Sequence, residues 1–179
     1  MIENWSKKLR VLILDVDGVL TNGQFVYSSE GKMYKIFGPD DNDAISLLSH
    51  FMEVRCITGD RKGYEISRRR VVSDMGLQLD LVSTIKRASW IAEHYDLDDV
   101  IYMGDGIFDH YVMKKAGYSI APANADKSAK EVANYVTERS GGDRAVAEAC
   151  LHIMDKFFER YDPNQPVSSK ATLSGEWTA

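Results

Sequence analysis

Short apolar runs recur along the chain, each stopped by an acid, a threonine or a glycine. Val11-Leu12-Ile13-Leu14 ends in Asp15, Glu53-Val54-Arg55-Cys56-Ile57-Thr58 ends at Gly59, and Val100-Ile101-Tyr102-Met103 ends in Gly104-Asp105. Runs of this length, rich in strand formers, predict buried strands. Leu79 to Val82, Tyr118 to Ala121 and Tyr135 to Thr137 are further strand candidates. Between these runs the apolar residues shift to helical spacing. Ala44 to Phe51 carries Ile45, Leu47, Leu48 and Phe51, with Asp41 or Asp43 as its expected N-cap. Lys62 to Met75, closed by Gly76, Lys86 to Tyr95 and His110 to Ala116 read as helices, with another between the last two strands. Ala145 to Tyr161 reads as a closing helix, with Val146, Cys150, Ile153, Met154 and Phe157 in its apolar stripe.

Alternating strands and helices predict an α/β fold: a parallel sheet with helices on both faces. In such a sheet, ligands sit beyond the carboxyl ends of the strands. Asp15, Asp17, Thr58, Asp105 and Asp109 all fall at that edge. One segment breaks the alternation. Gln24 to Tyr27 and Lys32 to Phe37 flank Ser28-Ser29-Glu30-Gly31, a hairpin signal with glycine in the turn. It is expected to protrude from the sheet as an insertion over about 24–37. Beyond Tyr161 the apolar periodicity ends. Residues 162–179, with Pro163, Pro166 and several Ser and Thr, read as a flexible tail on a single domain spanning 1–161.

At 179 residues the chain can bury a core without disulfides or a structural metal. A net charge of −5 argues against nucleic acid as a partner, since such binders need a basic face. Cys56 and Cys150 read as buried reduced thiols. No apolar run is long enough to cross a bilayer, and the N-terminal residues lack a signal-peptide pattern. The expected location is the cytoplasm, without membrane attachment.

The chemistry gathers at the strand ends. Asp15-Val16-Asp17-Gly18 directly follows a buried strand. Two nearby ionised carboxylates there are unfavourable without a cation, and magnesium supplies one with a preference for hard oxygen ligands. Taken alone, the pair also reads as an acidic surface turn. A second cluster, Gly104-Asp105-Gly106-Ile107-Phe108-Asp109, occupies the same setting after another strand, which two unrelated turns explain poorly. The hydroxyl of Thr58 and the open backbone at Gly59 suit a phosphoryl group. Lys86, near a predicted helix start, is placed to neutralise phosphoryl charge. Each of these last features also has a bland reading, as a turn or an exposed lysine.

The ordered set Asp15-x-Asp17-Gly18-Val19-Leu20-Thr21, Ile57-Thr58-Gly59, Lys86 and Gly104-Asp105-x-x-x-Asp109 resembles the haloacid dehalogenase superfamily of phosphotransferases over roughly Arg10 to Leu151. Within it the chain resembles the small capless branch of octulosonate 8-phosphate and nonulosonate 9-phosphate phosphatases. The residues behind this are Asp17 to Gly23, the hairpin, Asp43, and Tyr135-Val136-Thr137 followed by Gly141-Gly142. The resemblance implies a three-layer α/β/α Rossmann-like fold with the hairpin in place of a cap domain. It implies Mg2+ held by Asp15, the Asp17 carbonyl and Asp105, with Asp109 in an outer shell. It implies Asp15 as the nucleophile that becomes an aspartyl-phosphate, Asp17 as the acid and then the base, and Thr58, Gly59 and Lys86 as the phosphate-binding group. It also implies a homotetramer whose hairpin helps cover a neighbouring site, and a small phosphorylated sugar acid as substrate. Three positions depart from the octulosonate pattern: Asp60 in place of Arg after Thr-Gly, Gly106 in place of a second acid, and Gly141-Gly142-Asp143-Arg144 in place of Gly-Gly-Arg-Gly. They leave the phosphoryl machinery intact and bear on the sugar.

Two other functions use similar parts. A phosphorylation-dependent receiver also combines strand-end aspartates, Thr, Lys and magnesium, but its Lys follows all its acids, whereas Lys86 precedes Asp105. A regulatory protein could keep the fold without turnover, yet no essential group is missing here.

Overall fold

The computed structural model describes residues 9–164, so most of the expected tail lies outside the described residues. The elements run β1 (Val11–Asp15), β2 (Thr21–Ser28), β3 (Gly31–Phe37), α1 (Asp41–Leu48), β4 (Glu53–Thr58), α2 (Tyr64–Arg68), β5 (Gln78–Leu81), α3 (Arg87–His94), β6 (Val100–Met103), α4 (His110–Met113), β7 (Tyr118–Ala121), α5 (Lys127–Val132), β8 (Tyr135–Val136) and α6 (Ala145–Phe157). Six strands form a parallel sheet in the order β5-β4-β1-β6-β7-β8, and β2 and β3 pair separately as an antiparallel hairpin.

β1 lies inside the sheet and is buried along its whole length. Its side chains alternate between two cores, as the two-residue strand repeat requires. Leu12 and Leu14 join Ile45 and Leu48 of α1 with Cys150 and Ile153 of α6. Val11 and Ile13 join Ile91 of α3, Val112 of α4 and Ala129 of α5 on the other face. These are the three layers of an α/β/α fold. Both cysteines are buried and unbridged. Among the described residues no helix is long and apolar enough to cross a membrane.

Strand register brings the chemistry together. Asp15 lies opposite Ile57, so Thr58 is one residue further along the neighbouring strand. Leu14 lies opposite Met103, so Asp105 emerges just beyond the other neighbour.

Several boundaries differ from the sequence reading. α1 begins at Asp41, three residues before Ala44, and neither Asp41 nor Asp43 is its N-cap. The cap position is Asp40, with φ 65° and no side-chain capping bond. Asp41 instead turns its carboxylate to α6, where Oδ1 accepts from the Ala147 amide at 2.9 Å. The expected helix over 62–75 is α2 followed by a wider turn, Arg69–Asp74, closed by the Met75 amide on the Arg70 carbonyl at 3.1 Å. α6 stops at Phe157, short of Tyr161, and β2 starts at Thr21, three residues before the expected Gln24.

Candidate active site

Asp15 ends β1 and is almost wholly buried. Its Oδ1 accepts from the Val16 amide at 2.7 Å and from Arg87 Nη2 at 2.9 Å, and its Oδ2 accepts from Arg87 Nη1 at 2.6 Å. Arg87 opens α3 and is itself buried. Nη1 also reaches Asp109 Oδ1 at 2.7 Å and the Tyr102 hydroxyl at 2.9 Å. Tyr102, from β6, donates to the same Asp109 oxygen at 2.6 Å, and the Gly106 amide donates to Asp109 Oδ2 at 2.8 Å. Burial pushes the Asp15 carboxyl up and Arg87 pulls it back, leaving it at about 6. A buried guanidinium shared by two carboxylates is the satisfied arrangement that such charges need.

Asp105 lies over Gly18. A Cβ on Gly18 would come within 1.9 Å of Asp105 Oδ2, and Gly18 has φ 86°, so close approach and backbone shape both call for glycine there. Asp15, Asp105 and Asp109 each offer a carboxylate oxygen, all within 4.8 Å of one another. Burial first, then the charges of Asp15 and Asp109, raise Asp105 to about 8. Crowded carboxylates with hard oxygen donors are what a magnesium-like divalent cation fits.

Asp17 stands apart from this cluster. Its Oδ1 and Oδ2 lie 2.7 and 3.0 Å from Lys35 Nζ of β3, and Oδ2 accepts from the Thr58 hydroxyl at 3.2 Å. Thr58 ends β4 and is buried. Its Oγ1 also accepts from the Asp60 amide at 3.1 Å, shaping the turn that carries exposed Gly59. Behind the loop, Asn124 Nδ2 donates to the Gly18 carbonyl at 3.0 Å and Asn124 Oδ1 accepts from the Gly141 amide at 2.6 Å. The Gly142 amide adds a bond to the Val19 carbonyl at 3.2 Å. The late Gly-Gly pair thus braces the loop that holds Asp17.

The family pattern described as haloacid dehalogenase-like hydrolase matches residues 86–149. The 3-deoxy-D-manno-octulosonate 8-phosphate phosphatase of Salmonella typhi is 33% identical over 148 residues, covering 81% of this chain and 79% of that protein. The chain belongs to the haloacid dehalogenase-like phosphatases. Solved structures agree. The 3-deoxy-D-manno-octulosonate 8-phosphate phosphatase of Moraxella catarrhalis, in complex with magnesium, phosphate and KDO, superimposes with a TM-score of 0.75 at 27% identity, over 87% of this chain and 91% of that one. The cobalt-bound deoxy-D-mannose-octulosonate 8-phosphate phosphatase of Haemophilus influenzae gives 0.74 at 28% identity, over 85% and 91%.

The structure brings Asp15, Asp17, Thr58, Asp105 and Asp109 of this phosphatase to one sheet edge. Lys86 stands differently. It ends a short tight turn, Thr84–Lys86, is exposed, and among the described residues forms no ion pair with these acids. Arg87, the next residue, is the cation at Asp15 and Asp109. Arg87, Tyr102, Lys35 and Asn124 escaped the sequence reading, and Asp60 entered it only as a departure that bears on the sugar. A signal existed only for Arg87, as a second base beside Lys86 at a helix start. Lys35 and Asn124 reach the site through Asp17 and Gly18, 18 and 106 residues away, and Tyr102 through Asp109 in the loop beyond its own strand.

Proposed function

We propose that this phosphatase is a magnesium-dependent phosphomonoester hydrolase working through an aspartyl-phosphate on Asp15, with a phosphorylated sugar acid of the octulosonate or nonulosonate type as substrate. The observation that carries the reading is the division of the carboxylates. Asp15, Asp105 and Asp109 crowd together, while Asp17 faces Lys35 and Thr58. Three acids suit a cation, and the separate one suits proton transfer.

Asp15, Asp105 and the Asp17 carbonyl would hold Mg2+, with Asp109 behind them. The ion would supply charge stabilisation to the phosphoryl oxygens. In the first half-reaction an Asp15 carboxylate oxygen bonds to phosphorus as the ester P–O bond breaks. The electron pair leaves on the alkoxide oxygen, which takes the proton of Asp17. In the second, water attacks phosphorus, gives a proton to Asp17 and displaces the Asp15 carboxylate. The sum is ester plus water giving alcohol plus phosphate. Arg87 is the cation in contact with the Asp15 carboxylate, and Thr58 and the Gly59 backbone complete the phosphoryl side.

The names of the relatives support a sugar-acid phosphate. The departures from the octulosonate pattern at Asp60, Gly106 and Asp143 favour a screen over a single candidate. Phosphate release should be measured with magnesium across octulosonate 8-phosphate, nonulosonate 9-phosphates and plain sugar phosphates. Preference for a plain sugar phosphate removes the sugar-acid assignment. Asp15→Asn that folds and still turns over removes the nucleophile.

The hairpin exposes Phe25, Val26, Tyr27, Tyr34 and Ile36. An apolar surface of that extent favours burial against other subunits, and the resemblance to the capless branch makes the proposed assembly a homotetramer. A stable, fully active monomer in sedimentation is the contrary result.

A further inference from the structure

Lys35 projects from β3 of the hairpin, and its side chain is 0% exposed although the hairpin around it faces solvent. Its Nζ lies 2.7 Å from Asp17 Oδ1, 2.9 Å from Asp60 Oδ2 and 2.8 Å from Ser67 Oγ. An ammonium has three N–H donors, and here three partners surround it. Asp60 is held in turn by Lys32 Nζ and by the Gly63 amide, the latter at 3.0 Å from Oδ1. The packing leaves no slack. A Cβ on Gly63 would lie 2.2 Å from Asp60 Oδ2 and 2.8 Å from the Lys35 Cε. Surface ion pairs are screened and mobile, whereas this one is enclosed and fully coordinated. Asp17 is clamped by Lys35 and Thr58 yet keeps 18% of its side chain exposed, so one side remains open to a substrate.

We infer that Lys35 is a positioning residue for Asp17, so that the hairpin of each chain sets the aim of its own proton-transfer group. This rests on the reading of Asp17 as general acid. It adds a function for the hairpin distinct from covering a neighbour. Asp60 and Ser67 fix the ammonium, and the ammonium fixes the carboxyl group whose proton goes to the leaving oxygen when the P–O bond breaks. Orientation of this kind matters most where the leaving group needs that proton.

The test compares two esters in each enzyme preparation. p-Nitrophenyl phosphate releases a phenolate that leaves without help, and glycerol 3-phosphate releases an alkoxide that needs a proton. The ratio of kcat/KM for the two cancels any loss of folded protein. Lys35→Met should lower the glycerol-to-nitrophenyl ratio about 30–100-fold, and Lys35→Arg should recover it to within about 5-fold of wild type. Lys32→Met weakens the hold on Asp60 without touching Asp17, and should move the ratio less than about 3-fold. Equal losses on both esters in Lys35→Met, or equal ratio changes in the two lysine variants, overturn the proposal and leave Lys35 a docking residue. Asp17→Asn separates the layers. If it lowers the ratio and Lys35→Met does not, only the positioning role fails. If Asp17→Asn leaves the ratio unchanged, the general-acid reading and the proposal fall together.

Discussion

Arg87 grips both carboxylate oxygens of Asp15, Nη1 to Oδ2 at 2.6 Å and Nη2 to Oδ1 at 2.9 Å, inside the protein. The same Nη1 holds Asp109. Removing the guanidinium leaves two buried acids without their counter-charge. Deleting one partner of a buried pair costs about 3–5 kcal/mol. Arg87→Met is therefore expected to lose stability of about that size in urea unfolding without divalent metal. Exposed Lys86→Met should change it by less than about 0.5 kcal/mol.

The same pair of variants separates the two basic residues in catalysis. Loss of one preorganised charge donor at a phosphoryl site lowers kcat by about 10²–10³-fold. That drop is expected for Arg87→Met at saturating magnesium, assayed on folded protein with p-nitrophenyl phosphate. Lys86→Met should stay within about 10-fold of wild type. The reverse ranking would return the phosphoryl role to Lys86.

The neighbouring pair also shows where sequence reasoning stops. Strands were legible because β1, β4 and β6 are apolar runs ended by polar residues, and a strand buried on both faces has little other way to be written. Parallel register then carried Asp15, Thr58 and Asp105 to one edge. Adjacent helical residues point about 100° apart, so choosing between Lys86 and Arg87 needs the phase at which α3 begins. The tight turn at Thr84–Lys86 sets that phase, and no local pattern announces it. Lys35 was hidden for another reason. Its partners are Asp17, Asp60 and Ser67, and nothing in the alternation of β3 shows which face of a protruding hairpin folds back on the sheet.

Gly18→Ala is expected to weaken metal binding. The added methyl would fall 1.9 Å from Asp105 Oδ2, and φ 86° strains any L side chain there. Asp105 or the Gly18 loop must shift, which disturbs the grouping of Asp105 with Asp15 and Asp109. Calorimetric titration with magnesium should give an affinity at least about 10-fold weaker, the scale seen when the support of a metal ligand is disturbed. An affinity equal to wild type would show that Asp105 is not held at the cation by this contact.

Asp41 predicts a pH dependence away from the catalytic acids. Burial raises its carboxyl to about 6 from an ordinary 3.8, against the pull of the Ala147 amide. In the folded protein it therefore keeps its proton through a window in which the unfolded chain has lost it. Stability from this group is full below about 3.8 and is lost as pH rises through about 6. The total change corresponds to about 3 kcal/mol. Asp41→Asn preserves an oxygen acceptor for Ala147 and removes the charge. Relative to wild type, the variant should gain stability progressively between pH 4 and 6 and level off above that, read from urea midpoints at a series of pH values. A constant difference across the series would mean that Asp41 is ionised in the folded protein throughout, with its charge neutralised by the start of α6.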